Sequence, residues 1–252
     1  MEIADPSEFV TAIERNGWAA TGPVIPEDTI QGVLHELALI SPAEGVNRSR
    51  RGGVRNLLEH AVVRELACSS PVRSVAQLVL GSACFAARAI LFDKTAAANW
   101  KVIWHQDLTI AVERRVATPG FCAWTNKSGV PHVQAPVALL GRMLAIRVHL
   151  DRCGLENGPL RFLPGSHLVG RLSANAIAQW RTETLPIAPT VERGGLLAFR
   201  PLLLHASSQA TAPAHRRVVH IEFAAEDLPA PLRWSTRVSR QPAAAVPCTA
   251  RL

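Results

Sequence analysis

Two short stretches of the chain carry paired groups that could hold a metal ion. Trp104-His105-Gln106-Asp107 and His149-Leu150-Asp151 each place an imidazole and a carboxylate two residues apart. On an extended strand, residues i and i+2 point to one face, so either pair could offer a nitrogen and an oxygen to the same ion. A third ligand has to come from elsewhere, and His205, in the apolar run Pro201-Leu202-Leu203-Leu204-His205, is the best candidate. Two histidines and one carboxylate on one face of an octahedron form the facial triad of non-haem iron(II) oxygenases, with positions left open for co-substrate and oxygen. Either copy could precede His205, so spacing leaves the choice open. The bland alternative is a structural histidine beside a carboxylate, with Asp151 capping a turn.

The elements that must position these groups change character along the chain. Asp5-Pro6-Ser7-Glu8 is a helix start, with Asp5 as cap, Pro6 in the first turn and Glu8 completing a capping box; Asn16-Gly17 ends it. A second helix is predicted from about Glu27, with Ile30, Val33, Leu34 and Leu37 on one face. Segments 56–68 and 71–80 repeat the pattern, the latter opened by Ser70-Pro71 and closed at Gly81. Beyond Gly81, short apolar runs at 84–92, 101–104, 144–150, 159–163, 195–199 and 217–223 read as strands. Asn157-Gly158 lies between two of them and predicts a hairpin.

A helical first third followed by many short strands predicts an all-β core, a sandwich or barrel, buttressed by N-terminal helices. The expected organisation is one domain over 1–228, with a helix-rich buttress at 1–82 and a core at 83–228. Residues 111–142, with Arg114, Arg115, Trp124, Lys127 and His132, fit neither period and are expected to form a lid loop. Residues 229–252, rich in Pro, Ala and Arg, are expected to trail over the surface.

Composition narrows the classes. At 252 residues, 48% hydrophobic and 19% charged, the chain suits one sizeable globular domain. It contains no apolar run long enough to span a membrane, and its first residues lack a secretory signal pattern, so a cytoplasmic protein is expected. Cys68, Cys84, Cys122, Cys153 and Cys248 are scattered without a CxxC pair and read as reduced thiols. The net charge of +7 comes mainly from dispersed arginines. With no basic block or nucleic-acid motif, it points to attraction of small anions rather than to nucleic acid.

The order Trp104-His105-Gln106-Asp107, Asn157-Gly158-Pro159-Leu160-Arg161-Phe162-Leu163-Pro164-Gly165-Ser166-His167, His205 and Arg216-Arg217 resembles the phytanoyl-CoA dioxygenase family over roughly residues 85–225. The resemblance implies a double-stranded β-helix, a jelly-roll or cupin-like barrel, using iron(II), 2-oxoglutarate and O2. Because it runs through Trp104-His105-Gln106-Asp107, it implies His105, Asp107 and His205 as metal ligands and leaves His149-Leu150-Asp151 on the strand just before the Pro-Gly-Ser-His segment. Arg216, eleven residues beyond His205, would pair with the far carboxylate of 2-oxoglutarate, assisted by the Ser207 hydroxyl. A planar guanidinium suits that bidentate task.

Lys94 and Arg88 could reach the co-substrate or an acidic substrate, and an inward-pointing Arg147 would have to meet an anion. His220 shares strand parity with Arg216 and could face the interior. Arg217 should face away, and His167 should stabilise its turn rather than bind metal. His132 and His215 are expected in loops. The implied reaction is hydroxylation of an unactivated C–H bond in a small organic substrate, expected to be anionic. Desaturation, cyclisation, epimerisation or a catalytically silent ligand-binding barrel remain the alternatives. Asp107 disfavours halogenation, for which relatives carry Gly or Ala there. Oligomeric state is open.

Overall fold

The computed structural model describes residues 5–40 and 53–239. The N-terminal elements are α1 (Pro6–Asn16), β1 (Trp18–Pro23), α2 (Glu27–Ile40), α3 (Ala61–Cys68) and α4 (Ser70–Leu80). Next come β2 (Phe85–Lys94), β3 (Val102–His105), β4 (Thr109–Ala111), β5 (Cys122–Lys127), β6 (Val130–Gln134) and α5 (Val137–Leu140). The chain continues with β7 (Met143–His149), β8 (Leu160–Phe162), α6 (Ala174–Glu183), β9 (Gly195–Phe199), β10 (His205–Ser207) and β11 (Arg216–Ala224). Asp5 caps α1 by accepting from the Ser7 and Glu8 amides, and Gly17 closes it at φ 86°.

Three sheets follow, ordered β1-β9-β7-β11-β2, β3-β10-β8 and β4-β6-β5, and every strand pair is antiparallel. From β7 to β11, consecutive strands alternate between the five-stranded sheet and the β3-β10-β8 sheet. Both faces of the large sheet are covered, so β7 is buried throughout. Its odd-even alternation still sorts the side chains. Leu144, Ile146 and Val148, with Val219, Ile221 and Phe223 of β11, join the core beneath the helices, where Ile13, Val63 and Val72 also pack. Arg147 and His149 of β7 have the opposite parity, as do Arg216, His220 and Glu222 of β11.

Three expectations are corrected. Asn157-Gly158 is not a hairpin: β7 and β8 lie in different sheets, and the turn carries the chain across. Local turn chemistry is right, since Asn157 accepts the Gly154 amide and Gly158 sits at φ 63°, but turn residues do not say which strands pair. Residues 111–142 are not an unstructured lid, because β5 and β6 pair there, β6 also pairs with the preceding β4, and α5 follows. Pro131 and the irregular register between Cys122 and Thr125 broke the period-two pattern. Residues 229–239 do not trail: Leu232 and Trp234 are buried against Phe85, and Val238 bridges Ala86. The rest of the tail, including Cys248, lies outside the described residues. Cys84 and Cys153 are buried, Cys68 half-buried and Cys122 exposed, all as free thiols.

Candidate metal and co-substrate site

His105 ends β3 and pairs directly with His205 at the start of β10. Their rings stand 4.2 Å apart between centroids. Each ring donates from Nδ1 to the carbonyl two residues earlier, His105 to Ile103 and His205 to Leu203, both at 2.8 Å. That hydrogen bond fixes the tautomer and leaves each Nε2 with a free lone pair. Asp107 lies just past the strand end, where its amide donates to the Pro201 carbonyl at 2.8 Å. Its carboxylate oxygens come within 3.8 Å of His105 Nε2 and 3.5 Å of His205 Nε2. One ligand atom from each residue falls within 4.8 Å of the others, an arrangement able to hold one metal ion.

Burial would raise the Asp107 carboxyl, but His205, His105, His220 and Arg88 hold it well below the usual range. Burial pushes His205 down to about 3, with His105 adding to the effect. Both therefore stand in the deprotonated forms that metal binding requires.

Gln106, between His105 and Asp107, turns the other way and is buried. It donates to the Gly170 and Leu202 carbonyls, each at 2.7 Å, and accepts the Leu172 amide at 2.8 Å. The Pro-Gly-Ser-His segment supports the other histidine. Ser166 Oγ accepts the Leu204 amide at 2.9 Å, and His167 donates from Nε2 to the Glu14 carbonyl at 3.0 Å. His167 is thus a tie to α1, far from ligand duty. A Cβ at Gly17 would meet its Nδ1 at 2.6 Å, so that glycine is needed for close approach as well as for its φ.

A cavity of about 570 Å3 opens over the triad, with Arg147, Ser207 and Arg216 in its wall. Lys94 faces Arg216 across the β2–β11 ladder, and Arg147 faces His220 across β7–β11. All three cations are buried, and among the described residues none forms an ion pair with a carboxylate. Arg216 donates to the Gly158 carbonyl at 2.6 Å, while its Nε has no partner. Lys94 donates to Ser207 Oγ at 3.3 Å and to the Ser208 carbonyl. Burial lowers Lys94 to about 7 and Arg147 to about 9, with Arg216 adding to both shifts. Arg147 also lies 5.1 Å from the Phe92 ring centre. Three buried, carboxylate-free cations fit a bound dianion, because a lone guanidinium in such surroundings is costly.

The second H-x-D is not a ligand pair. Asp151 accepts the Arg217 amide, Nε and NH2 at 2.8, 2.8 and 2.7 Å, so Arg217 is an ion-pair partner on the outer side. His149 points inward, buried, with neither ring nitrogen partnered. His132 lies on β6 and is buried, unlike the loop residue expected; His215 is exposed beside Asp93. Arg114 and Arg115 are exposed, Arg115 lying 5.7 Å from the Trp124 ring centre. Glu222, which ion-pairs with Arg88 and lies 3.3 Å from His220, was missed. Its parity with His220 was the available signal. The carbonyl of Gly158 left none.

Among the described residues, no helix is long and apolar enough to cross a membrane. No curated protein matches the chain by sequence. Among solved structures, it is similar to EctD from S. alaskensis crystallised with 2-oxoglutarate and 5-hydroxyectoine: 19% identity, 89% of this chain and 78% of that one covered, TM-score 0.65. AviO1 from Streptomyces viridochromogenes is 21% identical, with 91% and 99% covered and a TM-score of 0.64. The carbocyclase SnoK from nogalamycin biosynthesis is 14% identical, with 90% and 88% covered and a TM-score of 0.64. The phytanoyl-CoA dioxygenase family model matches residues 13–218, and the chain belongs to that family of iron(II)- and 2-oxoglutarate-dependent oxygenases.

Proposed function

We propose that His105, Asp107 and His205 bind iron(II), that Arg216 anchors 2-oxoglutarate, and that the enzyme hydroxylates an unactivated C–H bond of a small organic substrate. The observation that carries this reading is the convergence of three ligand atoms within 4.8 Å, with both histidine Nδ1 atoms already occupied by backbone carbonyls. The alternation of β7 to β11 between two sheets supports a double-stranded β-helix as the frame.

When bound, the metal, 2-oxoglutarate and oxygen supply the oxidising power, and the co-substrate leaves as succinate and carbon dioxide. The protein's own residues do the positioning. Arg216 and Lys94 neutralise the far carboxylate, Ser207 offers its hydroxyl beside them, and the Gly158 carbonyl orients Arg216. Arg147, flanked by Phe92 and Phe199, keeps a fixed positive charge in the same wall. Gln106 and Ser166 hold the ligand-bearing segments in register.

A second reading is ring closure on the same site, supported by the similarity to the carbocyclase SnoK. The test is succinate formation from 2-oxoglutarate by protein loaded anaerobically with iron(II) and then exposed to oxygen. Wild type should turn over slowly even without substrate, and Asp107→Ala should not. Inactivity of the wild type, together with no iron-dependent binding of 2-oxoglutarate, would refute the proposal.

A further inference from the structure

The co-substrate cradle leaves the opposite end of the cavity unexplained. On β11 the inward stripe runs from Arg216 through Val218 and His220 to Glu222. Its ends lie six residues, roughly 20 Å, apart along the backbone, and the Glu222 carboxylate comes within 4.8 Å of the Asp107 carboxylate, so this end adjoins the metal ligands rather than Arg216. Arg88, opposite Glu222 on β2, marks that far end. Arg55 and Lys127 line the same cavity.

The far end carries more positive charge than its own carboxylate can match. Glu222 is already taken by Arg88, and it also faces His220 at 3.3 Å. Arg88 keeps Nε and NH1 buried without partners. Among the described residues, neither Arg55 nor Lys127 makes an ion pair, and the Lys127 ammonium donates only to Thr109 Oγ1, at 3.0 Å. Burial lowers both groups, and Arg88 adds repulsion. Arg55 and Arg88 also line a second cavity of about 230 Å3 next to the first, so a molecule bound here has room to extend beyond the metal. Asp107 attracts all three cations, but its one charge is shared with His105 and His205, and three cations still face two carboxylates.

We infer that Arg55, Arg88 and Lys127 bind an anionic group, a carboxylate or a phosphate, carried by the organic substrate. The inference rests on the oxygenase reading above and names the substrate class of that site. Guanidinium and ammonium groups together fit either oxyanion, and an anion docked here would place the rest of the molecule alongside the metal triad. Exposed arginines elsewhere, such as Arg114, lack this arrangement.

The experiment uses the full chain loaded with redox-inert manganese(II) and saturating 2-oxoglutarate, titrated with acetate, methyl phosphate or neutral acetamide. The readout is the thermal midpoint. An anion should raise it saturably while acetamide does not, and the tighter anion identifies the chemistry. Arg55→Ala and Lys127→Ala should each weaken the anion by about tenfold or more, the loss of one charged hydrogen bond. Arg114→Ala should not. Binding of 2-oxoglutarate without binding of either anion overturns this inference alone. So does anion binding that both variants retain, or that saturating 2-oxoglutarate abolishes. Failure of 2-oxoglutarate itself to stabilise the manganese form overturns the oxygenase reading and this inference together.

Discussion

Lys94 and Arg216 stand directly across the β2–β11 ladder from one another, two buried cations whose shared polar partner is the Gly158 carbonyl. Like charges placed opposite one another in a sheet are destabilising, and here no described carboxylate offsets them. A bound 2-oxoglutarate carboxylate would convert this repulsion into attraction. Arg216→Ala should therefore raise the 2-oxoglutarate KM by on the order of ten- to a hundredfold, the range for one or two charged hydrogen bonds. Metal affinity should change far less. Steady-state titration of co-substrate checks the first, and manganese binding without co-substrate checks the second. A KM within about twofold of wild type would remove Arg216 from the anchor.

The same pair gives the ligand-free protein a pH dependence. Lys94 sits at about 7 in the folded state, against an ordinary value of 10.5. Between these values the unfolded chain holds a proton that the folded chain has shed, so stability rises with pH across that window. Below it both states are protonated, and the full cost of the buried charge is present. Thermal unfolding of ligand-free wild type from about pH 6 to 10 should show this rise relative to Lys94→Met, which lacks the titrating group. Parallel curves would mean that Lys94 keeps its proton in the fold.

Glu222 tests the far end of the cavity through stability. It is buried, ion-paired with Arg88 and hydrogen-bonded to His220. Glu222→Ala leaves the Arg88 guanidinium buried without its carboxylate, which should cost about 3–5 kcal/mol. The double variant Arg88→Met/Glu222→Leu, which removes both charges, should recover most of that loss. Urea unfolding of the three proteins distinguishes them. A single variant that loses less than about 1 kcal/mol would place Arg88 in contact with water rather than in the buried pair.

How much of this was legible beforehand follows from the range of the interactions. Helix ends were readable because their determinants are local: Asp5 caps α1 within three residues, and Gly17 and Gly81 supply positive φ. Strands β2, β7, β9 and β11 were readable as apolar runs. Their pairing was not, because Asn157-Gly158 specifies a turn without specifying whether the next strand stays in the same sheet. The segment 111–142 hid two strands, β5 and β6, since a bulged β5 and Pro131 erase alternation. Arg147 and Lys94 were visible as isolated cations. Only the register that sets Lys94 against Arg216 and Arg147 against His220 makes them members of one site.

The two H-x-D copies make the sharpest comparison, because their carboxylates hold different partners. Asp107 faces two imidazole Nε2 atoms, whereas Asp151 is fully engaged by Arg217 and lies 3.6 Å from Arg193. Asp107→Ala should abolish stoichiometric manganese binding while leaving a folded protein. Asp151→Ala should bind manganese normally but lose about 1–3 kcal/mol of stability, since it strands three donors of Arg217. The hydrogen bonds from Arg217 hold the Asp151 carboxyl below its ordinary value of 3.8 against the opposing effect of burial. Its contribution is therefore complete above the ordinary value and fades as pH falls below it, so wild type and Asp151→Ala should converge in stability towards acid. Metal binding by equilibrium dialysis and denaturation at two pH values decide the matter. If Asp151→Ala lost the metal and Asp107→Ala kept it, the assignment of the ligands would have to be reversed.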